Sequence, residues 1–116
     1  MLASGPLVDI LLRRRSLQDK EDPRRLPERR GIASLPRPDG VLIWFHCASV
    51  GESLSVLPLL KHMNEARPDL HFLVTTGTLT SARLMAERLP ANAFHQFLPF
   101  DHPSYCAAFF SHWRPE

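Results

Sequence analysis

Net charge, cysteine and long apolar runs are all scarce in this sequence, and each shortage closes off a class of function. Its 116 residues hold 14 Lys or Arg and 12 Asp or Glu, a formal net charge of +2. That is too mild to argue for a nucleic-acid partner, although most of the positive excess lies before residue 40. Two cysteines, Cys47 and Cys106, fit no metal or redox spacing and read as small apolar residues in a reducing compartment. No run approaches the roughly 20 apolar residues that cross a bilayer as a helix. Secretory signals place their positive charge ahead of the apolar core, whereas Arg13, Arg14 and Arg15 follow it here. Glycine-rich phosphate loops of the G-x-G-x-x-G or G-x-x-x-x-G-K-[ST] type are absent, so dinucleotide and P-loop readings lack a motif. The six histidines are dispersed without the i, i+4 spacing of a helical metal site. A cytosolic protein touching a membrane surface is the expectation.

Residues 1–18 form a short apolar and basic segment, with Leu7, Val8, Ile10, Leu11 and Leu12 just ahead of the arginines. Such a patch can lie among anionic headgroups, each basic residue contributing about 1 kcal/mol; a short helix packed on the domain is the alternative. Residues 19–40 are rich in Pro and Arg and read as a connector, solvated and irregular beyond a turn or two near Arg24 to Arg30. From residue 41 the pattern alternates. Val41 to Cys47 reads as a buried parallel strand, followed by a tight turn and an amphipathic helix from Glu52 to Arg67 that Pro58 should kink. His71 to Thr76 is a second strand, and Gly77 a turn. Thr78 or Thr80 caps a helix running to Leu89, Ala93 to Leu98 is a third strand, and a last helix carries Tyr105, Ala108, Phe109 and Trp113. This order predicts an α/β fold: an incomplete Rossmann-like parallel sheet of about three strands with flanking helices, occupying residues 41–116 and stopping before a fourth strand.

Chemistry concentrates at the ends of the first two strands. Ser49-Val50-Gly51-Glu52 puts a carboxylate at a strand-to-helix turn, where ligands of open α/β sheets bind. Glu52 is a candidate general base, against the plainer reading that it complements the helix dipole. Ser49 within C-A-S-V-G suggests a nucleophile elbow, but Cys47 stands where that motif needs glycine. Thr75 to Ser81 is hydroxyl-rich and suits either sugar or phosphate contacts or simple capping. His46 ends the first strand and reads as a core histidine in preference to a substrate-orienting one. Trp44, Phe45, Phe72 and Phe97 read as core.

The run W-F-H-C-A-S-V-G-E-S-L-S-V-L-P-L-L resembles the N-terminal signature of the 3-deoxy-D-manno-octulosonic acid (Kdo) transferases of lipopolysaccharide synthesis. K-E-D-P-R-R-L-P-E-R-R-G ahead of it and L-V-T-T-G-T-L-T-S-A-R-L-M-A-E-R-L-P behind it agree in order, as do F-H-Q-F-L-P-F-D-H-P and F-F-S-H-W-R-P-E. The resemblance implies the N-terminal half-domain of a GT-B glycosyltransferase with facing Rossmann-like domains. It further implies a lipid A precursor as acceptor, CMP-Kdo as donor, inversion by in-line displacement, no metal or other cofactor, and the cytoplasmic face of the bacterial inner membrane. Residue by residue, the family's base falls on Glu52, Ser49 and Gly51 shape its loop, and Thr76, Gly77, Thr78 and Arg83 border the acceptor. Two departures accompany it. The apolar N-terminal stretch is shorter than the family's anchor, and the donor domain that would bind CMP-Kdo lies beyond this sequence. The isolated chain is therefore expected to be inactive; the competing reading is a non-catalytic α/β binding module keeping only the acceptor-side surface.

Overall fold

A computed structural model of the protein describes residues 22–116; the apolar and basic segment at 1–18 lies outside the described residues. Three parallel strands form one sheet in the order β1-β2-β3: β1 (Leu42–Cys47), β2 (His71–Thr76) and β3 (Ala93–Phe97). Helices α1 (Val50–Ala66), α2 (Leu79–Arg88) and α3 (Pro103–Trp113) follow them in turn, and a 3-10 helix (Pro23–Arg30) precedes β1. This is the expected α/β alternation, with each boundary within about two residues of the pattern in the sequence.

Alternation along β2 divides the core between two faces of the sheet. Phe72 and Val74 pack with Cys47, Val56, Leu60 and Met85 beneath α1 and α2. Leu73 points the other way, joining Leu42, Phe109 and Trp113 beneath α3. Buried positions 53, 56 and 60 of α1 follow helical spacing, so one stripe meets the sheet. Pro58 lies on the exposed side of a helix that runs on past it. The Leu54 carbonyl, deprived of its i+4 donor, can be solvated there.

Within the described sheet β1 has a neighbouring strand on one side only: Leu42 and Cys47 are buried, Ile43, Trp44 and Phe45 half-buried and His46 exposed. On its inner side the Val41 carbonyl accepts from His71 N–H at 3.0 Å. The next carbonyl, Leu42, points off the outer edge and accepts from Glu116 N–H at 2.8 Å. Arg114 turns the chain there with φ 43°, and Arg37 Nε holds the Trp113 carbonyl at 2.9 Å. The first two crossovers cover one face, and the third covers the other before bringing the chain to the far side of β1. The connections therefore diverge beside β1, which is the topological switch point of a doubly wound sheet.

The Pro- and Arg-rich run is not simply solvated. Glu28 is wholly buried and Arg29 nearly so. Glu28 accepts from Arg25 Nε and Nη2, both at 2.6 Å, from Ser34 Oγ at 2.7 Å and from the Phe97 backbone N–H at 2.9 Å. The 3-10 helix is thereby tied to the carboxyl end of β3. Gly31 ends it with φ 81°, where a Cβ would sit 2.0 Å from the Tyr105 carbonyl oxygen, so only glycine fits.

Candidate functional site at the carboxyl end of β1

Polypeptide leaving β1 must turn from extended to helical backbone within Ala48 and Ser49, and the side chains at the turn serve that change first. Ser49 is the N-cap of α1, its Oγ accepting from Glu52 N–H at 3.2 Å. Glu52 replies by accepting from the Ala48 N–H through Oε2 at 2.7 Å. This is a reciprocal capping box displaced by one residue. One carboxylate oxygen is thus pinned. Oε1 has no partner among the described residues, and the side chain is exposed. The local fold orients Glu52 and leaves half of its carboxylate available.

A cavity of about 640 Å³ opens at this turn, lined by Phe45, His46, Ser49, Gly51 and Glu52 among others. Cys47 is buried beneath it. Desolvation, with a smaller push from the Glu52 charge, raises its thiol pKa against a counteracting Ser53 hydrogen bond, which suits an inert core thiol. Ser49 Oγ is taken up as a cap, and no histidine nitrogen bonds to it among the described residues, so the nucleophile elbow finds no support.

The other residues singled out in the sequence are distributed more widely. Thr76 pairs with Cys47 in register, which brings the turns after β1 and β2 side by side. Its side chain, however, is fully buried and bonded to His95 Nε2 at 2.7 Å. Arg25 Nη2 donates to the other ring nitrogen, so Nε2 carries the proton and Thr76 Oγ1 accepts it. Thr78 is exposed and caps α2 by accepting from Ser81 N–H at 3.2 Å. Gly77 follows Thr76 at the adjacent turn. Arg83 is exposed on α2 and lines a separate cavity of about 340 Å³ with Arg25 and Phe97. Ser49, Gly51 and Glu52 therefore share one cavity, which Thr76, Gly77, Thr78 and Arg83 do not line. A Cβ on Gly51 would meet only Ser49 Oγ at 3.8 Å, and one on Gly77 nothing within 4 Å, so packing within the chain demands glycine at neither.

His46 differs from its reading as a core residue. It is exposed, and its Nδ1 lies 3.0 Å from Thr75 Oγ1, which also accepts from Trp44 Nε1 at 2.9 Å. Sequence pattern held no signal for that triad, because Thr75 is 29 residues away and only the register of β1 on β2 sets it opposite His46. No three His, Cys, Asp or Glu side chains converge as metal ligands among the described residues, and none of the described helices is long and apolar enough to cross a membrane.

Comparison with known proteins adds the family. Residues 24–116 match the family described as 3-deoxy-D-manno-octulosonic-acid transferase (kdotransferase). A probable mitochondrial 3-deoxy-D-manno-octulosonic acid transferase of Arabidopsis thaliana is 41% identical over 96% of the chain and 25% of its own length. The 3-deoxy-D-manno-octulosonic acid transferase of Rickettsia bellii is 38% identical over 96% of the chain and 27% of its own length. That of Haemophilus influenzae is 31% identical over 100% of the chain, again 27% of its own. The chain thus spans about a quarter of these curated relatives. No solved structure gives a significant match. With a family match over nearly all its described residues, the chain belongs to the Kdo transferases, a glycosyltransferase family.

Proposed function

We propose that this chain is the acceptor-side portion of an inverting glycosyltransferase that moves Kdo from CMP-Kdo to a lipid A precursor, with Glu52 as the general base. One observation carries the reading. The Glu52 carboxylate is held by the Ala48 N–H through one oxygen and open through the other, in a cavity at the sheet's switch point. In the proposed step an acceptor hydroxyl attacks the anomeric carbon of Kdo. Its proton passes to Glu52 Oε1, the new C–O bond forms, and the bond to CMP breaks with its electron pair leaving on the phosphate. Pinning Oε2 fixes the carboxylate's direction before substrate arrives, so little reorganisation remains for the transition state. Ser49 and Gly51 shape the loop, and Gly77, Thr78 and Arg83 belong to a wider acceptor surface, from which the buried Thr76 side chain is withdrawn. The nucleotide sugar is bound by a further domain of the enzyme, outside the quarter of the relatives' length that this chain matches. The reaction takes place at the cytoplasmic face of the inner membrane, where residues 1–18 contribute to contact with the lipid surface.

The test uses a chimaera in which residues 22–116 replace the matching quarter of the Rickettsia bellii relative. Glu52→Gln should lower transfer about 10²- to 10⁴-fold, the usual worth of a general base, with unfolding and CMP-Kdo binding unchanged. Near-normal turnover would refute the assignment. Isolated chain that binds CMP-Kdo by calorimetry would contradict a donor site elsewhere.

A further inference from the structure

His46 ends β1 at the same cavity as Glu52, and its ring is controlled from inside the sheet. Thr75 is fully buried on β2 and bonds two side chains of β1 through one hydroxyl. The Trp44 indole N–H can only donate, so it occupies a lone pair of Thr75 Oγ1 at 2.9 Å. Thr75 then has one proton to place away from water, and the remaining partner of its hydroxyl is His46 Nδ1 at 3.0 Å. A buried hydroxyl proton left without an acceptor is costly, so Thr75 donates and Nδ1 accepts. Neutral His46 is thereby set as the tautomer with hydrogen on Nε2, a nitrogen that has no partner among the described residues.

Resting on the reading of Glu52 as base, we propose that His46 is a substrate-binding residue. Its Nε2–H donates to an oxygen of the acceptor whose hydroxyl loses its proton to Glu52. The two side chains are complementary. The free Glu52 oxygen can only accept, and His46 Nε2–H can only donate. A ligand satisfying both offers a hydroxyl proton to one and an oxygen lone pair to the other, as a sugar with several oxygens does. Thr75 and Trp44 are positioning residues, acting through the ring they orient. His46 lies on the α3 face of β1, on the same side as Trp44, while the Glu52 turn leads to the other face. Such a ligand therefore spans the crevice where the two faces part.

The tautomer is read directly in the full 116-residue chain, labelled with ¹⁵N-histidine, by long-range ¹H–¹⁵N correlation at pH 8. The expected pattern is protonated Nε2 and bare Nδ1 at His46, kept in Thr75→Ser and lost to a mixture in Thr75→Val. In the chimaera, His46→Ala should raise the KM for a soluble lipid A precursor analogue about tenfold, the scale of one hydrogen bond, with the KM for CMP-Kdo unchanged. His46→Gln, which retains an N–H donor, should recover part of the loss, and Thr75→Val should shift the same constant in the same direction. A proton on Nδ1 in the parent chain, or an unchanged acceptor KM in His46→Ala, overturns the proposal. The base assignment fails separately: Glu52→Gln with normal turnover defeats that reading whatever the tautomer, whereas inactive Glu52→Gln beside unaffected His46→Ala defeats only this inference.

Discussion

Glu28 is the residue whose removal should tell most about how this domain is held. Its side chain is buried in a run that composition marks as a solvated connector, yet four hydrogen bonds converge on its carboxylate. Glu28→Ala leaves the Phe97 N–H, the Ser34 hydroxyl and the Arg25 guanidinium without their acceptor. Removing one member of a buried ion pair costs about 3–5 kcal/mol. Arg25 is 28% exposed and can regain water, which favours the lower end of that range. The Phe97 N–H lies in the buried interface with β3 and cannot, adding about 1–3 kcal/mol that partly overlaps the first figure. We expect a loss of roughly 3–4 kcal/mol, a large share of the 5–15 kcal/mol typical of a domain. At about 4 °C per kcal/mol for a chain of this size, Tm should fall by roughly 12–16 °C. Far-UV circular dichroism in urea and on heating measures both, with Asp22→Ala as the control; it deletes only the cap on Arg24 N–H and should cost about 1 kcal/mol. A Glu28→Ala loss within about 1 kcal/mol would refute the docking of the 3-10 helix as a structural element.

Two further perturbations probe the site side of the sheet. Gly51→Ala adds a methyl at the second residue of α1, where it touches only Ser49 Oγ at 3.8 Å; stability should hold or rise by up to ~1 kcal/mol, while transfer by the chimaera falls because the methyl enters the space before Glu52. Full activity with raised stability would show that no ligand approaches that backbone. His95 is pulled down to about 3 from an ordinary 6.5, first by burial and then by the Arg25 charge. Between those values the unfolded chain binds the extra proton, so the folded state keeps its full advantage above pH 6.5 and loses up to ~1.4 kcal/mol per pH unit as pH drops toward 3. His95→Gln should flatten that part of the pH dependence in urea melts at pH 7, 5 and 4, and identical slopes in the two proteins would contradict a neutral, half-buried His95.

Local rules made much of this protein readable without coordinates. Period-2 and period-3.6 apolar patterns, the prolines and the caps located three strands and three helices, because those signals act between residues a few positions apart. Ser49 and Glu52 were legible as a turn-and-helix start for the same reason. Tertiary structure decided what separates by tens of residues. Charge composition could not distinguish a solvated Glu28 from one buried against β3, because Arg25 three residues away pairs with it in either case and the Phe97 N–H that marks its burial lies 69 residues on, in β3. β1 stands at one side of the described sheet because the first two crossovers both step the same way, to β2 and then to β3. Thr76, a cleft residue by motif, points inward to His95, and His46, a core residue by pattern, stands exposed with one nitrogen fixed by Thr75. Sequence placed the carboxylate at the end of the first strand; pairing of β1 with β2 determined which histidine shares its cavity and which of that ring's nitrogens faces out, since register and proton accounting exist only once strands are side by side.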